Sequence, residues 1–326
     1  MSEHMIGRRQ TWVAIVATLP ALIGACTVSP TATPTDSASD SQTSTSGGTA
    51  SASTASVDAS LLEQLSLERI NRARLRPAEE AAANNIAIDE GVTGRLDTQP
   101  KPAVALNAAL HNAAEEHSQD MLDRDYFEHD TPEGVTPFDR MTSAGYVFTR
   151  AGENLAWRGT TGALDEVAFV EEQHVDLFVD AGIEDRGHRV TMLNEQYREV
   201  GISIIRGTFT NNGTDFDSIM QTQDFGTNAS NSTFVLGVVY NDANGNGMYD
   251  SGEGVANSTV TLDNTTQSTN AAGGYAFEVT QAGSHTIRFA TGDTQAFTLS
   301  AGSANIKIDL VDSKDIVVNL GLGPLS

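Results

Sequence analysis

The chain has 326 residues, enough for two ordinary domains and flanking segments. Acidic residues outnumber basic ones, 43 to 19, for a formal charge of −24. That balance argues against docking on nucleic-acid phosphates or on an anionic membrane face. The one cysteine, Cys26, excludes a disulfide framework and leaves stability to core packing.

The N-terminus reads as an address. Arg8 and Arg9 precede an apolar run from Thr11 to Ala25, too short for a membrane span but suited to a signal-peptide core. It ends in Ile23-Gly24-Ala25-Cys26, which resembles a lipobox, so residues 1–26 are expected to be a leader and Cys26 the lipidated residue. Membrane attachment would then run through the lipid. An Arg8-Arg9 twin-arginine signal fits less well before Gln10-Thr11-Trp12. Residues 27–57 are mostly Ser, Thr, Ala and Pro and cannot bury enough apolar area to offset chain entropy. They are expected to form a disordered tether averaging roughly 30 Å end to end.

Residues 58–227 read as mixed α and β. Leu61, Leu62, Leu65, Leu67 and Ile70 make the apolar face of a first helix ending before Pro77. Its Arg69, Arg72, Arg74 and Arg76 are expected to lie on a solvated face with ion pairs to nearby acids. A second stripe, Leu106, Leu110, Ala113, His117 and Met121, predicts a helix through Ala103–Leu122, with His117 as a buried core histidine. Thr136-Pro137 marks another helix start. Arg198 to Ile205 and Asp217 to Phe225 read as strands.

Past a polar hinge at 228–233 the pattern becomes all-β. Short runs at Phe234–Tyr240, Ser258–Leu262, Tyr275–Thr280, His285–Phe289, Gln295–Leu299 and Ile306–Leu310 are punctuated by Gly, Asn and Asp. Residues 228–326 are therefore expected to be a separate domain. Its string Asp242-Ala-Asn244-Gly-Asn246-Gly247-Met248-Tyr-Asp250-Ser-Gly-Glu253 matches a calcium loop. Oxygen ligands fall at positions one, three, five, nine and twelve, glycine stands at six, and Met248 offers its backbone carbonyl. A strand-like segment precedes the loop and no second loop follows, so neither an EF-hand pair nor a dockerin is expected. With "GGYAFEV" at 273–279, the region resembles the B-type repeats of serine-aspartate adhesins. That resemblance implies a calcium-stabilised Ig-like sandwich acting as a spacer.

Three strings in the middle of the chain carry candidate chemistry: "YFEHDTPEG" at 126–134, "AGENLAW" at 151–157 and "DRGHR" at 185–189. They set His129, Glu153 and His188 beside glycines, a setting suited to turns. Two imidazoles and a carboxylate from separated segments suit a small metal or polar-ligand site. With "HSQDM", "SAGY", "LNEQYREVGI" and "TQDFG", these strings resemble the CAP family of cysteine-rich secretory proteins, antigen 5 and plant pathogenesis-related 1 proteins. The resemblance runs from Leu61 to Gly226 and is closest to the prokaryotic SCP-like branch. It implies an α-β-α sandwich, so the fold class is α+β: a CAP sandwich followed by an all-β Ig-like sandwich. It also implies an open cleft lined by two histidines and two acids, the histidines able to hold zinc or another divalent metal. Carried over by motif, these are His129, Glu153 and His188. The fourth position falls on "VEEQHVDLFVD", where Glu172 is preferred over Glu171, and His174 is a rival.

The expected function is a secreted, lipid-anchored cell-envelope protein whose CAP domain binds a partner. The family points to a lipid or sterol, a glycan or a surface protein. Two alternatives stay open: a metal-dependent extracellular hydrolase using His129, His188 and Glu153, and a surface adhesin. No G-x-S-x-G elbow or H-E-x-x-H helix appears in the sequence. Non-enzymatic binding is therefore preferred.

Overall fold

The structure, a computed structural model, describes residues 17–18, 57–230, 232–300 and 302–320. The lipobox with Cys26 and nearly all of the 27–57 segment lie outside the described residues.

Helix α1 (Ala59–Leu75) starts at Asp58, whose carboxylate accepts the Ser60 amide. It stops before Pro77, which opens α2 (Pro77–Ala83). Leu62, Leu65, Leu67 and Ile70 are buried along α1, as their spacing predicts. The next element differs from its prediction. Ala105–Leu106 is a short strand, β2, and α3 runs Ala108–Arg124. Asn107 sets that boundary, because its side chain accepts the amides of Ala109 and Leu110. Leu106 is consequently half-exposed rather than part of the helical stripe. Helix α4 (Pro137–Ser143) begins with a capping box between Thr136 and Asp139. Helix α5 spans Glu166–Val179 and α6 spans Gly187–Met192.

Three long antiparallel strands form the sheet: β3 (Phe148–Thr160), β4 (Glu199–Asn211) and β5 (Thr214–Asn228). A two-residue strand, β1 (Ala17–Thr18), completes the order β1-β3-β5-β4-β2; it would depart with the expected leader. Strands β4 and β5 join through Asn212-Gly213, both at positive φ, the geometry of a tight hairpin turn. Alternate side chains face opposite layers. Ala156, Ile204 and Ile219 pack with α1 and α5, while Leu155, Ile205 and Met220 pack with α3. The result is the expected α-β-α sandwich. At Gly201, α3 lies so close to β4 that a Cβ would stand 2.0 Å from the Leu110 carbonyl carbon.

Two arginines of α1 are not on a solvated face. Arg74 is fully buried and donates to the carbonyls of Pro102 (2.7 Å) and Met192 (2.6 Å). Arg69 is buried against acids on two other elements. Arg76 alone fits the expectation fully, half-exposed beside Glu79. Arg72 is partly exposed and pairs with Glu80 at 2.7 Å. Burial is tolerated because carbonyls and carboxylates take up the guanidinium donors.

The C-terminal region forms two four-stranded sheets, in the orders β11-β10-β7-β8 and β13-β12-β6-β9. The strands are β6 (Thr233–Tyr240), β7 (Thr259–Leu262), β8 (Thr265–Ser268), β9 (Gly274–Val279), β10 (Gly283–Phe289), β11 (Thr294–Leu299), β12 (Ile306–Val311) and β13 (Asp315–Leu320). Six were read from the sequence. Strand β8 escapes because all four of its residues are exposed, leaving no apolar alternation. Strand β6 pairs in parallel with β12 and is buried along its whole length.

That burial joins the sandwich to the core of the preceding domain. Val235 and Val239 of β6 enter the sandwich core, whereas Val238 and Tyr240 join the cluster built on α1 and the CAP-side sheet. Phe234 and Leu236 pack with Ala103 and Ala105. Polar contacts fix the same junction. Asn305 donates to the carbonyls of Ala103 and Arg198, and Lys307 lies 2.9 Å from Glu68 of α1. The continuous apolar run "FVLGVV" is what a strand covered on both faces requires.

Candidate functional site

Glu153 lies in the middle of β3, not in a turn, and is 1 % exposed. Its neighbour Gly152 makes room for Tyr197, whose hydroxyl would stand 2.5 Å from a Cβ there. His129 sits in the bend after α3 and meets Glu153 through Nδ1, 2.7 Å from Oε1. Arg140 of α4 donates to the other carboxylate oxygen at 2.6 Å and to the His129 carbonyl at 2.9 Å. Burial would push the Glu153 carboxyl up, but the charge of Arg140 and the bond from His129 outweigh it and hold it well below the usual range. Nδ1 of His129 therefore donates a hydrogen bond to the Glu153 carboxylate.

Sequence reasoning missed two acids here. Asp224 of β5 is the cross-strand partner of Glu153 and is fully buried. Neither of its carboxylate oxygens accepts a hydrogen bond among the described residues. Burial, then the adjacent Glu153 charge, raises its pKa well above the carboxylate range, so it keeps its proton beside ionised Glu153. Asp180, the left-handed residue ending α5, is the second. Its carboxylate accepts His188 Nδ1 at 2.8 Å and the His188 backbone amide at 2.8 Å. One carboxylate thus satisfies an amide at the start of α6 and orients the imidazole. His188 Nε2 is buried with no hydrogen-bond partner among the described residues.

His188 also lines a groove of about 820 Å³ between α5, β3, the far end of β4 and the segment after α3. Tyr126, Phe127, Leu155, Trp157, Leu177 and Phe209 give it aromatic and aliphatic walls. The Trp157 indole N–H is likewise buried with no hydrogen-bond partner among the described residues. Asp125, Glu128, Asp176 and Asn211 line the groove as well, so aromatic and aliphatic walls alternate with polar groups, as in a small-molecule site.

The remaining candidates lie elsewhere. Glu172 reaches Arg158 at 2.6 Å on the outer side of α5, and Glu171 pairs with Arg69. His174 is buried, bonded to Glu80 at 3.0 Å and stacked on Phe178. His117 is buried as expected, and donates from Nε2 to the Glu128 carbonyl at 2.9 Å. Burial pulls its pKa down to about 4, so it is neutral at pH 7. Among the described residues no three His, Cys, Asp or Glu side chains are grouped to hold a metal ion.

The Asp242–Glu253 loop is organised by its own bonds. Asp242 accepts the amides of Asn246 (3.0 Å) and Gly247 (2.9 Å), and Glu253 accepts those of Ala243 and Asp250 (2.9 Å each). Gly247, at position six, has φ +74°, which favours glycine. The side-chain amides of Asn244 and Asn246 both converge on Asp250 Oδ2, each at 2.7 Å. Half a turn of each amide would present two oxygens at the same place. This all-oxygen donor set fits a hard divalent cation such as calcium.

Comparison with known proteins agrees with this division. Residues 67–214 match the family described as "Cysteine-rich secretory protein family" (CAP), and residues 235–318 match the "SdrD B-like domain". The chain thus carries a CAP domain followed by an SdrD B-like domain. It is 29 % identical over 138 residues to "Uncharacterized protein YkwD" of Bacillus subtilis, covering 42 % of this chain and 48 % of that protein. It is 28 % identical over 129 residues to "Uncharacterized membrane protein YlbC" of the same organism, covering 40 % and 31 %. The chain therefore spans half or less of the curated relatives it matches. Among solved structures, an extracellular protein containing a SCP domain from Bacillus anthracis is 22 % identical, with a TM-score of 0.30 over 50 % of this chain and 41 % of that one.

Proposed function

We propose that this chain is a secreted cell-envelope binding protein, tethered through a lipid on Cys26, whose CAP groove takes an amphipathic ligand. The ligand would bring an apolar body and one hydroxyl or carboxyl head. The carrying observation is the groove with aromatic and aliphatic walls, two of whose lining residues, His188 and Trp157, bury polar nitrogens that have no hydrogen-bond partner among the described residues. A ligand hydroxyl that reached them would donate to the first or accept from the second, whereas a purely apolar ligand would leave both unsatisfied. The sandwich domain would bind calcium through Asp242, Asn244, Asn246, Asp250, Glu253 and the Met248 carbonyl. The test is a titration with a long-chain fatty acid, followed by Trp157 fluorescence, since Trp12 in the leader is the only other tryptophan. Val175, exposed at the groove edge, provides the control. Val175→Arg is expected to weaken binding about tenfold, which is a loss of 1.4 kcal/mol. Superimposable curves for wild type and variant would sink the groove reading.

A second reading is favoured by the paired carboxylate–imidazole contacts, His129–Glu153 and His188–Asp180. Carboxylates on Nδ1 are how proteins orient histidines toward a metal. A divalent metal such as zinc would be held by His129 and His188 and would supply an activated water; Glu153 and Asp180 would orient the imidazoles. Calorimetric zinc titration of wild type against His129→Ala/His188→Ala checks this, and equal heats refute it.

A further inference from the structure

Two salt-bridged paths run from the calcium loop to α5, the helix that forms one wall of the groove. In the first, Arg69 of α1 is 5 % exposed and donates to Asp250 Oδ1 (2.7 Å) and to the Tyr249 carbonyl (2.7 Å), two consecutive loop residues. The same guanidinium grips both carboxylate oxygens of Glu171 on α5, at 2.5 to 3.0 Å. In the second, Arg72 donates to the Met248 sulfur at 2.8 Å and to Glu80, which in turn holds His174 of α5. One turn beyond Glu171 and His174, α5 contributes Val175, Leu177 and Val179 to the groove.

We propose that calcium in the Asp242–Glu253 loop stiffens α5, and with it the groove wall, chiefly through Asp250, Arg69 and Glu171. This rests on the calcium reading given above. Asp250 is the shared component: Oδ2 gathers the two asparagine amides at the cation site, while Oδ1 belongs to Arg69. Fixing that carboxylate fixes the guanidinium, because its planar fork holds its partners in one geometry. The entropy lost when the loop orders is entropy that groove binding no longer has to remove, so calcium and ligand favour one another. Linkage makes the effect reciprocal: a groove ligand tightens calcium by the same factor.

The experiment is amide hydrogen exchange over residues 166–179 in the full chain, with and without calcium, alongside calorimetric calcium titration. In wild type, calcium is expected to slow exchange there at least about fivefold, the lower end of measured couplings. In Arg69→Met, calcium should still bind while the slowing falls by half or more. Glu171→Gln, at a partly exposed position, tests the same path from the other end and decides the matter where Arg69→Met does not fold. Absence of calcium heat would overturn the loop reading and this coupling together. Calcium heat with unchanged α5 exchange would overturn the coupling alone. Equal slowing in wild type and the variants would overturn the path through Arg69.

Discussion

The histidine site and the Asp242–Glu253 loop are opposite ways of building a polar cluster. The first is buried and assembled from distant segments: the bend at His129, α4, β3, β5 and the end of α5. Each of its charges is met by another element, so the fold creates the site and the site stabilises the fold. The second is twelve consecutive residues, half of them exposed, held mainly by bonds among themselves. A buried site commits its groups to structure before any ligand arrives, whereas an exposed loop leaves its oxygens available to a cation.

The contrast is sharpest when one charge is removed from each. Arg140→Ala leaves the Glu153 carboxylate buried without its cation. It is expected to cost about 3–5 kcal/mol, read by urea unfolding. A loss under ~1 kcal/mol would mean that the buried cluster relaxes as freely as a surface pair. Adding calcium should act on the other site: at a hundredfold excess over Kd it should stabilise by about 2.7 kcal/mol. Asp242→Ala should abolish that gain while costing little in chelator. Parallel melting curves of the two proteins, with and without calcium, provide the check.

Acid distinguishes the carboxylates within the histidine site. Glu153 is depressed, so its contribution is present above the unfolded carboxyl range and is lost as pH falls toward its folded value. Asp224 is raised: the native state holds its proton longer than the unfolded chain does, so stability falls as pH climbs from the unfolded range through the folded value. Asp224→Asn should therefore gain on wild type between pH 4 and pH 8, by roughly 2–4 °C in Tm per kcal/mol. A constant difference across that range would show that Asp224 is ionised in the fold. The smallest effect is expected at Glu172, half-exposed beside Arg158. Glu172→Gln should change stability by under ~0.5 kcal/mol and leave groove binding as it was. Loss of groove binding in that variant would place Glu172 back in the site.

What the sequence disclosed follows from the same contrast. The Asp242–Glu253 loop is legible because its oxygen-bearing residues occupy one string with its glycine at position six. His129, Glu153 and His188 are legible through their motifs, but their carboxylate partners are not. Asp180 meets His188 only because the chain turns left-handed at the end of α5, and Asp224 meets Glu153 only through the register of β3 and β5. Neither fact is written in spacing. Glu172 shows the converse: the motif places it on α5, but in the structure it pairs with Arg158 and not with His129, Glu153 or His188. The two-sided burial of β6 was visible in its unbroken apolar run, yet it was read as an ordinary sandwich strand.

The shared core at β6 bears on how such proteins can be inherited. Residues 228–233 look like a place to cut, but Phe234, Leu236, Val238 and Tyr240 belong to the neighbour's interior. A recombination event at that seam would strand apolar faces on both products. The two halves are therefore expected to fold as one unit, with substitutions on α1 and β6 felt across the seam. A descendant that swapped its sandwich for another would need a new surface on α1 before it could fold.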